Sequence, residues 1–321
     1  MRLGLATLIT TSLAATTAAG DLPLRLPVDC DLGETCHIQQ TVDHDPTDGA
    51  SDFACGPLTY DTHKGTDFAV PSLFAQRAGV DVLAAAPGTV RGVRDGMADA
   101  LQIGPNAPDV TGRECGNGVL IDHGDGWETQ YCHLANGSVA VRSGDRVGAG
   151  TVLGEIGLSG QTQFPHLHLS VRKDGDVIDP FAPDGVVSCE GASAATLWKD
   201  NIAAPQGGII TAGFAPGVPE YDDIKLGSAG RDVLNPDDAL VVWGYVFGGQ
   251  AGDRLVLRID GPGGALLEET VPLDRTQSQL FRAVGKRAPA NGWATGIYTG
   301  EVQFFRDGAA LDREITTVTV R

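Results

Sequence analysis

Positive charge is scarce in this 321-residue chain: 23 lysines and arginines stand against 41 aspartates and glutamates, for a formal net charge of −18. Such an acidic surface repels phosphate backbones, which argues against nucleic acid as a partner, and it offers no bulk attraction to anionic membranes. Long apolar runs are missing too. No stretch after the first twenty residues approaches the roughly 20 apolar residues of a spanning helix. Six cysteines are too few for a miniature scaffold built on disulfides, though their even number suits an oxidising compartment. Histidine is absent beyond His168 and cysteine beyond Cys189, so no metal chemistry is expected in the C-terminal region.

What remains is ordinary globular composition, 42% hydrophobic and 20% charged, enough for one large or two medium cores. Met1 to Gly20 joins Arg2 to an uncharged leucine-containing run and a small-residue exit, Ala18-Ala19-Gly20. That order is read as a secretory signal peptide, so the expected location is periplasmic or extracellular. Residues 21–59 show little periodicity and hold Cys30, Cys36 and Cys55, an irregular segment pinned by disulfides.

Residues 60–188 read as short strands between Gly, Asp and Pro turns, with polar Gly92 to Glu114 as an inserted loop that shapes a groove. Residues 189–208 read as a linker. Over 209–321, strand patterning at Leu240 to Phe247, Arg254 to Asp260, Ala265 to Leu273 and Ile297 to Arg306 suggests a small immunoglobulin-like sandwich. The expected fold class is all-β: an antiparallel barrel-like domain followed by a small antiparallel β-sandwich.

Strand alternation selects the chemistry. In His166-Leu167-His168-Leu169-Ser170-Val171 the polar residues share one face and the aliphatic ones turn to the core, so two imidazoles stand side by side. Thr129, Tyr131 and His133 are expected to share a face of a second strand, which follows Val119 to His123 across the Gly124-Asp125-Gly126 turn. Cys115 and Cys132 lie on opposite arms of that hairpin and form the expected disulfide; Cys30, Cys36, Cys55 and Cys189 leave three pairings open. His63 and Asp67 are four residues apart, which keeps both on one face of an extended segment. With one histidine from the His166/His168 strand they make a two-histidine, one-carboxylate donor set of the kind that holds catalytic zinc. Alternation does not separate His166 from His168.

The blocks His63-Lys64-Gly65-Thr66-Asp67, Val82 to Val90, Ile121-Asp122-His123-Gly124, Tyr131-Cys132-His133-Leu134, Gly154-Glu155-Ile156-Gly157 and Pro165-His166-Leu167-His168 closely resemble, in order, the lysostaphin-type zinc endopeptidases. The resemblance covers about residues 60–180. It implies one zinc ion on His63, Asp67 and His168, unligated catalytic histidines at His133 and His166, and a peptidoglycan peptide as substrate. Gln161-Thr162-Gln163-Phe164 and Leu169-Ser170 depart from the family's usual residues around the Pro-His-Leu-His block, which bears on substrate preference rather than on the metal.

The rival reading is a catalytically silent wall-binding protein that activates a peptidoglycan amidase; the complete ligand set argues against it. His123 is read as a structural turn residue. Tyr131 is balanced between packing and a hydrogen bond to a bound intermediate. His37 and His44 are expected to be solvated, and Trp198, Trp243 and Trp293 to pack in the later region's core. The chain is taken as a monomer, with the C-terminal sandwich as the surface for any protein partner.

Overall fold

A computed structural model describes residues 22–189, 195–200 and 202–321; the signal-peptide reading of residues 1–20 and part of the expected linker lie outside the described residues. The first half contains β1 (His37–Gln40), β2 (Thr66–Ala69), α1 (Leu73–Arg77), β3 (Asp81–Leu83), β4 (Gly88–Arg94), β5 (Asn117–Gly124), β6 (Trp127–Leu134), β7 (Arg146–Val147), β8 (Val152–Glu155), β9 (His166–Lys173) and β10 (Asp176–Ile178). The second contains β11 (Gly208–Ala215), α2 (Tyr221–Leu226), β12 (Val233–Leu234), β13 (Leu240–Gly249), β14 (Arg254–Gly261), β15 (Gly264–Pro272), β16 (Gln277–Lys286), β17 (Gly296–Arg306) and β18 (Ala309–Val320). No helix among the described residues is long and apolar enough to cross a membrane.

The fold is all-β, as expected, but the first sheet does not close into a barrel. Its order is β1-β2-β9-β6-β5-β4-β7, antiparallel throughout, with β10 also on β9 and β3-β8 forming a separate ribbon. β9 lies between β2 and β6. Its Leu167, Leu169 and Val171 are buried with Phe68, Tyr131, Val119 and Ile121, so apolar burial fixes the register that turns the histidines to the other face. Asp-Gly turns with positive φ at both residues close the β5–β6, β9–β10 and β17–β18 hairpins at Asp125-Gly126, Asp174-Gly175 and Asp307-Gly308, the turn whose twist suits a two-residue hairpin loop.

In the second half, sheets β11-β13-β16 and β12-β18-β17-β14-β15 enclose a core that includes Phe214, Val242, Val246, Leu257, Val302 and Phe304. Strands β11, β12, β16 and β18 lie outside the segments whose patterning predicts strands.

Several expectations are corrected. The inserted loop starts after Arg94, because β4 runs through Gly92. Leu197 and Trp198, in the expected linker, are buried in the first core; Trp198 packs on Phe68 and Phe181 and bridges to Leu24. His44 is not simply solvated, since it bonds Asp179 at 2.8 Å. The expected Cys115–Cys132 disulfide is present, and the pairings left open are Cys30–Cys36 and Cys55–Cys189.

His37, also expected in solvent, is buried in the joint between the halves, where its ring lies 4.6 Å from that of Phe247. Gln39 beside it donates to the Ser278 carbonyl and accepts from Gln279, and Leu58 packs with Trp243, Tyr245 and Phe247. One face of the three-stranded sheet, part of the sandwich expected to offer a surface to any protein partner, is thus partly covered from within. Burial pushes the His37 pKa down to about 4. The unfolded side chain takes up a proton near pH 6.5, so the stability present above that pH is lost as pH falls toward the folded value. His37→Gln should reduce the loss of unfolding free energy between pH 7 and pH 5 by about 2 kcal/mol. Denaturant melts at the two pH values check this, and an unchanged difference would place the titrating group elsewhere.

Candidate metal centre and active site

Asp67 and His168 are directly opposite on β2 and β9, and this pairing puts Asp67 Oδ1 2.8 Å from His168 Nδ1. His63 reaches the same point by another route. It is not part of an extended run with Asp67; its N–H bonds the Tyr60 carbonyl across a turn in which Thr62 has φ of 64°. Its Nε2 ends 3.3 Å from Asp67 Oδ1 and 3.2 Å from His168 Nδ1.

The other ring nitrogens orient the two imidazoles, and for His63 the partner also sets the tautomer. His63 Nδ1–H donates to the Thr41 carbonyl at 2.6 Å, a partner that can only accept, so a neutral His63 aims a lone pair at the cluster. His168 Nε2 lies 3.0 Å from Ser170 Oγ, which leaves Nδ1 inward. Burial alone would raise the Asp67 carboxyl; the charges of His63 and His166, with hydrogen bonds from His168 and His63, hold it well below the usual range. Burial lowers the His63 pKa, yet Asp67 outweighs it and raises the imidazole above its ordinary value. Two imidazole nitrogens and a carboxylate oxygen converge here, close enough together to hold a metal ion, and a cation would take the place of the protons that His63 and His168 otherwise share with Asp67. Their hydrogen-bonded outer nitrogens are the usual mark of oriented ligands.

His166 and His133 stand beside this group but outside it. His166 Nε2 is 3.5 Å from Asp67 Oδ1, and its Nδ1–H donates to the Phe164 carbonyl at 2.9 Å. The Phe164 ring stacks on it at 4.3 Å. The rings of His133 and His166 are 4.7 Å apart. Both pKa values are lowered chiefly by burial, that of His133 strongly.

His133 does not share a face with Thr129 and Tyr131, as alternation predicts. Those two are fully buried, and Tyr131 Oη accepts from the Ala85 N–H at 2.7 Å, which identifies it as a packing residue. His133 has φ of 65°, and this left-handed residue turns the ring out of the core. For a non-glycine residue it costs about 1–2 kcal/mol. The Cys115–Cys132 disulfide, His133 N–H on the Cys115 carbonyl and Gly157 N–H on the His133 carbonyl hold it there, while Nδ1–H donates to the Ser159 carbonyl at 2.8 Å. His123 bonds Pro87 and Thr129, which fits a structural residue.

The site opens into a cleft of about 880 Å³. The inserted loop contributes Gln102 and Ile103, and the segment before β9 contributes Gln161, Thr162 and Gln163. Tyr221, Lys225 and Gln277–Gln279 come from the second half, where the sequence carries no motif that marks them.

A β-sheet face that gathers a metal-competent donor set beside two buried, unligated imidazoles defines a candidate metal-dependent hydrolase. Residues 61–180 match Peptidase family M23: the chain carries an M23 peptidase domain, in agreement with the resemblance read from the sequence. It is 32% identical over 124 residues to the DD-carboxypeptidase/endopeptidase Mpg of Neisseria meningitidis, covering 39% of this chain and 23% of that protein. It is 33% identical over 106 residues to the peptidoglycan DD-endopeptidase ShyA of Vibrio cholerae, covering 33% and 19%. The chain thus spans about a quarter or less of these relatives' length. Among solved structures, the catalytic domain of the prophage-encoded M23 protein EnpA from Enterococcus faecalis is similar at 27% identity, with a TM-score of 0.30, over 44% of this chain and 91% of that one.

Proposed function

We propose that the protein is an exported zinc metalloendopeptidase that hydrolyses peptide bonds in peptidoglycan stem peptides or cross-links. The observation that carries this reading is the convergence of His63 Nε2, Asp67 Oδ1 and His168 Nδ1 within 3.3 Å of one another. Two imidazoles stand beside them with Nδ1 tied to carbonyls. Two neutral histidines and one carboxylate are a donor set that catalytic zinc accepts with a position to spare. When bound there, zinc supplies Lewis acidity toward water and the scissile carbonyl.

The chain's own residues move the protons. With Nδ1–H donated to carbonyls, His133 and His166 each present Nε2 as the basic atom. One accepts the proton of the attacking water, and the imidazolium so formed can return it to the leaving amine. The second donates to the developing oxyanion when protonated. Burial keeps His133 neutral near neutral pH, the form a base requires. Export is supported by the N-terminal pattern and by three disulfides, bonds that persist in oxidising compartments.

His63→Ala should lose both the metal and hydrolysis, measured by metal analysis and by mass spectrometry of peptides released from purified peptidoglycan. Wild-type protein that holds one zinc, releases no peptides and instead stimulates an amidase would overturn the enzyme reading.

A further inference from the structure

The histidine cleft adjoins a second, more apolar recess, and the second half of the chain contributes to both. The recess, about 380 Å³, is lined by Leu73, Leu101, Ile103, Phe164 and Ile210, among others. Ile103, Gln163, Phe164, Lys225 and Gln279 line both cavities. Phe164, stacked on His166, thus joins the recess to the candidate active site.

Among the described residues lining the two cavities, Lys225 is the single lysine or arginine. The rest of the main cleft's polar lining is chiefly glutamine, serine and threonine, with Asp67 and the imidazoles. Lys225 lies on α2, which is anchored by buried Ile224. Its ammonium sits 4.9 Å from the Tyr221 ring centre and pairs with Asp222 at 2.7 Å. Asp222 is 92% exposed, and a solvent-facing pair of this kind is worth little, so the lysine can exchange it cheaply for an anion in the cleft.

We propose that Lys225 is a substrate-positioning residue that binds a carboxylate of the peptide. The inference rests on the peptidase reading and deepens it: the substrate is an anionic peptide. On a chain of net charge −18, anions are disfavoured over most of the surface. Lys225, the one cation among the described residues that line the cleft and the recess, therefore selects acidic over neutral substrates and orients them once a substrate carboxylate replaces Asp222, which also lines the recess.

The test uses the full chain carrying His133→Ala, so that peptide stays intact. Alanyl-γ-D-glutamyl-lysyl-D-alanine, with its carboxyl groups free or amidated, is titrated calorimetrically. The free acid should bind more tightly than the amide. Adding Lys225→Gln should weaken the free acid about tenfold and leave the amide within about twofold, the pattern expected for loss of one charge-assisted contact; Lys225→Arg should retain the preference. Absence of free-acid binding, no preference in the parent, or equal weakening of both peptides by Lys225→Gln overturns the proposal. Hydrolysis of the same peptides by wild-type protein is scored separately. Discrimination without hydrolysis sinks the peptidase reading alone, and hydrolysis without discrimination sinks only the role of Lys225.

Discussion

His133→Ala is expected to retain one metal ion per chain and to lose turnover by about 10²- to 10⁴-fold, the range for removal of a positioned acid–base group. His133 lies outside the group that converges on Asp67 Oδ1, so its loss leaves the metal donors in place. What disappears is a basic Nε2 whose direction is fixed at the far side of the ring by the Ser159 carbonyl. The pH profile carries the same signature. Burial holds the His133 pKa well below the ordinary value. Wild-type turnover should therefore persist as pH falls through about 6.5 and decline only at lower pH, provided metal content is constant across the series. An alanine variant that loses metal, or turns over within a few-fold of wild type, would remove His133 from the chemistry.

Gly65→Ala should be nearly as damaging although it touches no donor atom. A Cβ at residue 65 would lie 2.5 Å from His168 Nε2 and 2.6 Å from the Leu169 carbonyl oxygen. Leu169 belongs to a strand paired on both sides, so the imidazole is the part able to yield. As it swings it loses Ser170 and carries Nδ1 away from Asp67 and His63. Disturbing the support of a metal ligand typically costs 10- to 100-fold in affinity. Competition with a chelator should show a loss of about that size, with activity partly restored by excess zinc. Wild-type affinity in Gly65→Ala would mean that the backbone gives way there instead.

The legibility of this site depended on the origin of each direction. His166 and His168 could be read because the aliphatic residues between them have one place to go, and burying Leu167 and Leu169 leaves the histidines no choice of face. His133 belonged to the predicted set, yet its orientation was misread: alternation assumes an unbroken strand, and a single left-handed residue reverses it. His63 met Asp67 through a turn rather than through extended spacing. The carbonyls of Thr41, Ser159 and Phe164 were illegible because every residue carries a carbonyl and only the fold selects among them. Two unread hairpins did leave a signal in Asp174-Gly175 and Asp307-Gly308, whose pairing of residue types favours the twist those turns adopt. The joint between the halves left none, since Gln39, Ser278 and Gln279 meet only after both sheets have formed.

An open sheet has two ends, and unpaired strands are templates for unwanted association. One end here finishes in β7, only two residues long and carrying exposed Arg146. The other is β1, where Gln39 spends its side chain on Ser278 and Gln279 while His37 lies under Phe247. The C-terminal half therefore serves as an edge guard for the first sheet, covering the buried strand β1 against addition of another molecule's strand.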